Sequence, residues 1–281
     1  MNTTHDFILS CEFFPPRTEQ GVEKLRETRE KLKVLSPAFF SVTFGAGGST
    51  QERTVETVVE IQKSGVPAAP HLSCVASTRK NIQQLLKTYK EQGVNRIVAL
   101  RGDTPSGWVG RLGEFGYANE LVTFIREETG QHFFIEVAAY PEIHPQARSA
   151  KADIDFFCQK VRAGADGAIT QYFYNAEAYF YFLEECTRQG ITIPIVPGIM
   201  PITNYEQLTR FSDTCGAEVP RWLRQQLKDR AEDKEALKAF GLDVVTQLCE
   251  RLIKGGVPGL HFYTLNQADF VLEVVKRLGL T

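Results

Sequence analysis

The sequence predicts one (β/α)8 barrel of the TIM type, an α/β fold, on three observations. Short apolar runs alternate with stretches of helical periodicity along all 281 residues. A polar or turn residue stands near the end of each run: Glu12, Thr43, His71, Arg101, Tyr140, Gln171, Pro197 and Tyr263. The steps between these residues are 26 to 39 positions, with one of 66 before the last, and about thirty residues is the length of a βα unit. A doubly wound sheet is the competitor. It is weakened because Gly45-Ala46-Gly47-Gly48-Ser49-Thr50 lacks the last glycine of G-x-G-x-x-G.

Residues 8–14 read as the first strand, with Glu12 embedded in apolar company and Pro15-Pro16 ending it. Residues 21–35 have helical spacing. The second strand spans 39–44, and Ser49 with Glu52 reads as a capping box for a helix reaching about Lys63. The third strand, 67–74, carries His71 and Ser73, and the helix 78–92 has Gly93 in the capping place. The fourth, Ile97 to Leu100, is an unbroken apolar run of the kind buried on both faces of a parallel sheet. Arg101 and Asp103 follow it at once. A Gly-rich loop over 107–117 leads to a helix over 119–128.

The fifth strand covers 133–140 and is followed by an irregular loop to Pro145, then a helix over 149–163. The sixth covers 168–173 and holds Thr170 and Gln171, with Asn175 capping a helix to about Arg188. The seventh, 193–196, is stopped by Pro197-Gly198, after which Thr203 and Glu206 form a second capping box. A helical excursion lies at about 203–255 between strands seven and eight, its longer part being 213–254. Its charge-dense part, 224–238, reads as a solvated face. Strand eight is 259–265 and the helix 268–278 closes a single domain spanning 1–281.

Composition narrows the function. A net charge of -2 without a Lys/Arg-rich run argues against a nucleic-acid partner. No apolar run approaches the roughly 18 residues of a membrane span, and the polar start argues against a signal peptide. Six scattered cysteines without a C-x-x-C pair suit reduced thiols in the cytoplasm. His71 and His144 are isolated and there is no His-x-His, so no metal site is expected. No lysine stands at a strand end, which argues against a Schiff-base aldolase. His261, between Leu260 and Phe262, reads as a satisfied core histidine.

In a barrel the strand ends converge, so Glu12, Thr43, His71, Arg101, Asp103, Tyr140 and Gln171 should ring one mouth. An Arg–Asp ion pair closing a loop is the plain alternative for Arg101 and Asp103. Two carboxylates in different settings suit a split of protonation states, Glu12 toward the neutral acid and Asp103 ionised.

Eight blocks in register then become specific. Glu12-Phe13-Phe14-Pro15-Pro16-Arg17, Ser41-Val42-Thr43-Phe44-Gly45-Ala46, Ala69-Pro70-His71-Leu72-Ser73-Cys74 and Ala99-Leu100-Arg101-Gly102-Asp103 form the first half. Ala138 to Pro145, Ile169 to Phe173, Pro197 to Pro201 and His261 to Asn266 form the second. Together they resemble methylenetetrahydrofolate reductase of the bacterial type over nearly the whole chain.

The resemblance implies a noncovalent FAD and reduction of 5,10-methylenetetrahydrofolate to 5-methyltetrahydrofolate with NADH or NADPH, in a ping-pong sequence. It implies Glu12 as the general acid toward N10 of the folate, and Asp103 as the group favouring the 5-iminium cation. Flavin contacts carry over to Thr43, His71, Arg101, Gly102, Asp103, Tyr117, Ala118, Tyr140, His144, Asp153 and Lys160. Substrate contacts carry over to Glu12, Gln171, Tyr205 and Gln267. Tyr205 stands where some relatives have Phe, and Gln267 where some carry an Arg for the glutamate tail. Ending after the last barrel helix, the chain is expected to lack the regulatory extension of eukaryotic relatives and inhibition by S-adenosylmethionine. A homo-oligomer is left open. The other readings are a flavin-dependent proline dehydrogenase-like barrel and a non-catalytic folate- or flavin-binding barrel.

Overall fold

The computed structural model describes residues 7–44, 48–102 and 113–280. The strands are β1 (Ile8–Phe13), β2 (Phe39–Val42), β3 (Ala68–Ser73), β4 (Arg96–Leu100), β5 (Phe134–Ala139), β6 (Gly167–Thr170), β7 (Ile195–Val196), β8 (Gly198–Ile199) and β9 (Gly259–Tyr263). The helices are α1 (Glu19–Leu32), α2 (Gly48–Lys63), α3 (Arg79–Glu91), α4 (Ala118–Thr129), α5 (Ala150–Arg162), α6 (Ala176–Arg188), α7 (Tyr205–Cys215), α8 (Arg221–Lys228), α9 (Lys234–Lys254) and α10 (Asp269–Arg277).

Every strand pairing is parallel, in the order β7-β6-β5-β4-β3-β2-β1-β9-β8. The two ends of that order, β7 and β8, are the halves of one stave either side of Pro197, so the sheet closes on itself. The sequence places a stop at Pro197-Gly198. The structure instead carries the stave through it, and the physical reason is which hydrogen bonds each residue can make. Proline has no N–H to give a ladder, but its carbonyl accepts from His261 N at 3.0 Å. Gly198 N then donates to the Thr170 side chain at 2.9 Å. A Cβ on Gly198 would lie 2.2 Å from the Thr170 carbonyl oxygen, so only glycine brings the stave this close.

Side chains alternate between two cores, as period two requires. Leu9, Cys11 and Phe13 join the large core between strands and helices. Ile8, Phe39, Ala69, Val98, Leu100 and Ile169 form a small separate cluster inside the barrel. The amino-terminal end of that interior is closed by Arg96, held over the rings of Phe39 and Phe134 at 4.5 and 4.0 Å. Its guanidinium donates to Glu136 Oε1 at 2.5 Å. Burial pushes Glu136 up to about 7 against the pull of Arg96.

The helical excursion is built from α7, α8 and α9, with Pro220 preceding α8 and Asp233 capping α9 through Ala236 N. Asn204, not Thr203, caps α7, accepting from Gln207 N at 2.7 Å. The second helix begins at Gly48, and the side chain of Ser49, its expected cap, lies outside what is described. Ser149 and Asn175 do cap α5 and α6. No helix among the described residues is long and apolar enough to cross a membrane.

Candidate active site

The carboxyl ends of the strands open into a cavity of about 1460 Å³. Glu12, Thr43, His71, Arg101, Gly102, Tyr140 and Gln171 reach it from strand ends, as the converging geometry of a barrel requires. Tyr117 and Ala118 come from the start of α4, His144 from the loop after β5, and Asp153 and Lys160 from α5. Two expected substrate contacts are not brought in. Tyr205, the first residue of α7, packs against the main core, and Gln267 is exposed in the turn after β9. Asp103 lies outside the described residues.

Glu12 sits on β1 with its side chain 18% exposed, one Oε2 facing two imidazoles. That oxygen is 3.3 Å from His71 Nε2 and 3.8 Å from His261 Nε2. The purely apolar company expected from the neighbouring residues is therefore not the setting found. Burial pushes His71 below the ordinary imidazole range, Glu12 pulls it back, and His261 pushes it further down. His71 is thus neutral near pH 7, a polar contact rather than a fixed cation.

His261 is fully buried and its Nδ1 shares a 2.7 Å hydrogen bond with Ser10 Oγ. The expectation of a core histidine describes that half of the ring. The other half, Nε2, is buried without a hydrogen-bond partner among the described residues and points toward the Glu12 carboxyl. The signal was present in strand register: Ser10 pairs with His261 and Glu12 with Tyr263, so all four share the inward face. Thr264 Oγ1 donates to the Glu12 carbonyl at 2.7 Å, and Asn266 bonds both the N–H and the C=O of Phe14 at 3.0 Å. These two residues hold the Glu12 backbone and were not singled out in the sequence.

The opposite wall is cationic. Arg101 donates to Gln146 Oε1 at 2.5 Å and to the Gly102 carbonyl at 3.4 Å. Gly102 has φ +86°, and a Cβ there would lie 2.0 Å from Ser73 Oγ, so the turn that aims Arg101 admits glycine alone. Lys160 is buried and donates to the Ala138 carbonyl at 2.5 Å. Burial pushes it down to about 8, Asp153 opposes this, and Arg101 adds to it. An anion arriving here would favour the charged form of Lys160 further and be held by it.

His144 is fixed on three sides. Its backbone N–H donates to Asp153 Oδ2 at 2.8 Å, its Nδ1 accepts from Gln146 N at 3.0 Å, and its ring meets Tyr140 edge-on at 4.5 Å. Accepting at Nδ1 leaves the ring proton on Nε2. Gln171 accepts from Tyr172 N at 3.0 Å, which orients its amide at the cavity wall. The arrangement joins a carboxyl able to move a proton, a wall able to hold phosphate oxygens, and flat apolar surface between them. The six cysteines are free, and burial pushes Cys11, next to Glu12, up to about 12, so it takes no part as a thiolate.

Comparison with known proteins adds four findings. The profile of the family described as methylenetetrahydrofolate reductase matches residues 1–279. The chain is 39% identical over 272 residues to 5,10-methylenetetrahydrofolate reductase of Escherichia coli (strain K12), covering 96% of this chain and 90% of that one. It is 38% identical over 284 residues to methylenetetrahydrofolate reductase (NADH) 1 of Arabidopsis thaliana, covering 96% of this chain and 48% of that one. Among solved structures, an uncharacterized protein from Clostridium thermocellum that binds two copies of 5-methyl-5,6,7,8-tetrahydrofolic acid superposes with a TM-score of 0.70 at 16% identity. It covers 96% of this chain and 93% of that one, and the likeness is one of fold.

Proposed function

The chain belongs to the methylenetetrahydrofolate reductase family, and from that premise we propose that it reduces 5,10-methylenetetrahydrofolate to 5-methyltetrahydrofolate with electrons from NADH or NADPH, relayed by a noncovalent FAD. Reduction of methylenetetrahydrofolate and use of a pyridine nucleotide follow from the family; the flavin, the order of events and the residue roles are the reading argued here. Its compartment would be the cytoplasm and its domain the whole chain.

The observation that carries the flavin is the donor set of the cavity. Arg101 and Lys160 offer cations to pyrophosphate oxygens on one wall. Across the cavity, beside Glu12, His71 Nε2 is buried without a hydrogen-bond partner among the described residues. The volume, about 1460 Å³, exceeds the roughly 300–1,000 Å³ of sites for drug-sized ligands. It suits a dinucleotide plus one further flat substrate. When bound, FAD supplies a two-electron hydride store that no side chain provides.

The chain's own residues do the rest. Thr43, His71, Arg101, Gly102, Tyr117, Ala118, Tyr140, His144, Asp153 and Lys160 hold and orient the flavin. Glu12 delivers a proton to N10 of the folate as its five-membered ring opens to the 5-iminium cation. Asp103 is assigned to stabilising that cation, and Gln171 to positioning the pterin and the nicotinamide. Tyr205 and Gln267 remain assigned to the folate, which requires α7 and the turn after β9 to close over it. Nicotinamide and folate share one cavity and therefore take turns in it.

The experiment is the absorption spectrum of the purified or FAD-reconstituted protein. A flavin band bleached by NADH without oxygen and restored by methylenetetrahydrofolate is expected. A colourless protein that takes up no FAD would overturn the reading.

A further inference from the structure

The carboxyl end of α7 is tied to the cavity wall by three contacts, one of them through a carboxyl group. Glu142, in the loop after β5, accepts from Glu218 N at 2.8 Å, just past the end of α7. Pro145 of the same loop packs on Gly216, where a Cβ would lie 2.5 Å from its Cγ. The hydroxyls of Tyr172 and Ser212 share a 3.0 Å hydrogen bond, and Cys215 Sγ donates to Tyr172 at 3.4 Å. With these ties made, Phe211 in mid-helix lines the cavity, and Tyr205 at the helix start does not.

The Glu142 tie is poorly suited to a charge. Its Oε1 is buried without a hydrogen-bond partner among the described residues. The groups that face it are Glu218 and Cys215 from the α7 side, Tyr172 and Tyr174 from the segment after β6, and Tyr140 on its own loop. None of these carries a positive charge. Burial pushes Glu142 up to about 7, the Glu218 amide opposes this, and the Glu218 carboxylate adds to it. The next residue is strained. Ile143 has φ +74° and is the one β-branched residue with positive φ among the described residues. Its neighbours pull in opposite directions, Glu142 toward the end of α7 and His144 N toward Asp153 Oδ2 at 2.8 Å. Letting Glu142 go would relieve that strain.

We propose that Glu142 is a positioning residue for folate: protonated, it clasps α7 with Tyr205 withdrawn from the cavity, and ionised, it frees the helix to bring Tyr205 over the bound substrate. This deepens the folate reading above and rests on it. A carboxyl held at about 7 in the clasp and at its ordinary 4.5 in water favours the clasp when protonated. Raising the pH from 6 to 8 therefore shifts the balance toward the freed helix by up to about tenfold. Folate selects the freed form, so its binding draws a proton off Glu142.

The test is calorimetric titration of the full-length protein with 5-methyltetrahydrofolate at pH 6 and pH 8, with hydrogen exchange of residues 205–220 followed alongside. It is run on the parent, Glu142→Gln and Glu142→Ala. The parent is expected to bind up to about tenfold more tightly at pH 8 than at pH 6, and to lose protection in 205–220 over the same range. Glu142→Gln keeps an acceptor for Glu218 N and cannot ionise. It should bind more weakly than the parent at pH 8, stay protected, and lose that pH dependence. Glu142→Ala has no tie to keep, so it should bind at least as tightly as the parent at pH 8, with little protection at either pH. Equal weakening in both variants at both pH values would make Glu142 a structural support and overturn the clasp. An unchanged pH dependence in both variants overturns it too, since another group such as Glu12 would then be titrating. Altered exchange with unaltered binding likewise overturns it. A parent that binds no 5-methyltetrahydrofolate brings down the folate reading, and the clasp with it.

Discussion

A carboxyl group that must give up a proton to a weakly basic nitrogen needs that proton replaced before the next turnover. Glu12 has two buried imidazoles within 3.8 Å, those of His71 and of His261, the second backed by Ser10. Replacing Glu12 by Gln keeps a hydrogen-bonding group of the same shape and removes the proton. General acid catalysis is typically worth about 10²–10⁴-fold. Glu12→Gln is therefore expected to lose that factor in the oxidation of reduced protein by methylenetetrahydrofolate, with reduction by NADH within a few-fold of the parent. Stopped-flow absorbance of the two half-reactions checks this, and a folate half-reaction near the parent rate would move the acid to Asp103 or to water. Most of the site was legible in the sequence because a barrel collects residues at its strand ends. What was not legible depended on the first and last strands lying side by side: the Nε2 of His261 toward Glu12, and Asn266 clamping Phe14.

At the scale of elements, strand order followed from the repeat, since each helix returns the chain to the amino end of the sheet to begin the next parallel strand beside the last. The interruptions did not follow. A proline–glycine pair reads as a stop in sequence, yet the stave continues because Gly198 finds the Thr170 hydroxyl where a ladder partner would be. The excursion before the last strand reads as helical by periodicity, but its division at Pro220 and Asp233 rests on start geometry that periodicity does not register. The stave makes a quantitative expectation. In Gly198→Ala the new methyl would sit 2.2 Å from the Thr170 carbonyl and 2.6 Å from the Tyr263 ring. Backbone on one side and a ring tied to the Thr170 carbonyl on the other leave little room to yield. Overpacking of this kind costs about 1–3 kcal/mol or more, read as a lower urea midpoint. Gly190→Ala is the control: Gly190 has φ +76° with nothing within 4 Å of the added carbon, so it carries backbone strain without a clash. Equal midpoints for the two variants would rule out crowding at the stave as the cause.

Across the whole molecule the two ends of the barrel divide the work. The carboxyl end is open and holds the chemistry; the amino end is shut by Arg96, Phe39, Phe134 and Glu136. Shutting it with an ion pair makes stability depend on pH. Burial raises Glu136 from 4.5 to about 7 in the folded chain. Between those values the folded state holds a proton that the unfolded chain has released, so unfolding becomes easier as pH rises. The contribution is complete below about 4.5, shrinks through the window, and is lost once pH passes about 7. A shift of that size corresponds to on the order of 3 kcal/mol at about 1.36 kcal/mol per unit. His71 acts the other way, since its lowered value makes the unfolded chain take up the extra proton in acid. Glu136→Gln isolates the first effect, because an amide keeps a hydrogen bond to Arg96 and cannot ionise. The variant is expected to gain stability relative to the parent between pH 5 and pH 8, by up to that amount, in urea unfolding at the two pH values. A pH-independent difference between variant and parent would mean that Arg96 keeps Glu136 ionised throughout, and that the plug is an ordinary buried ion pair.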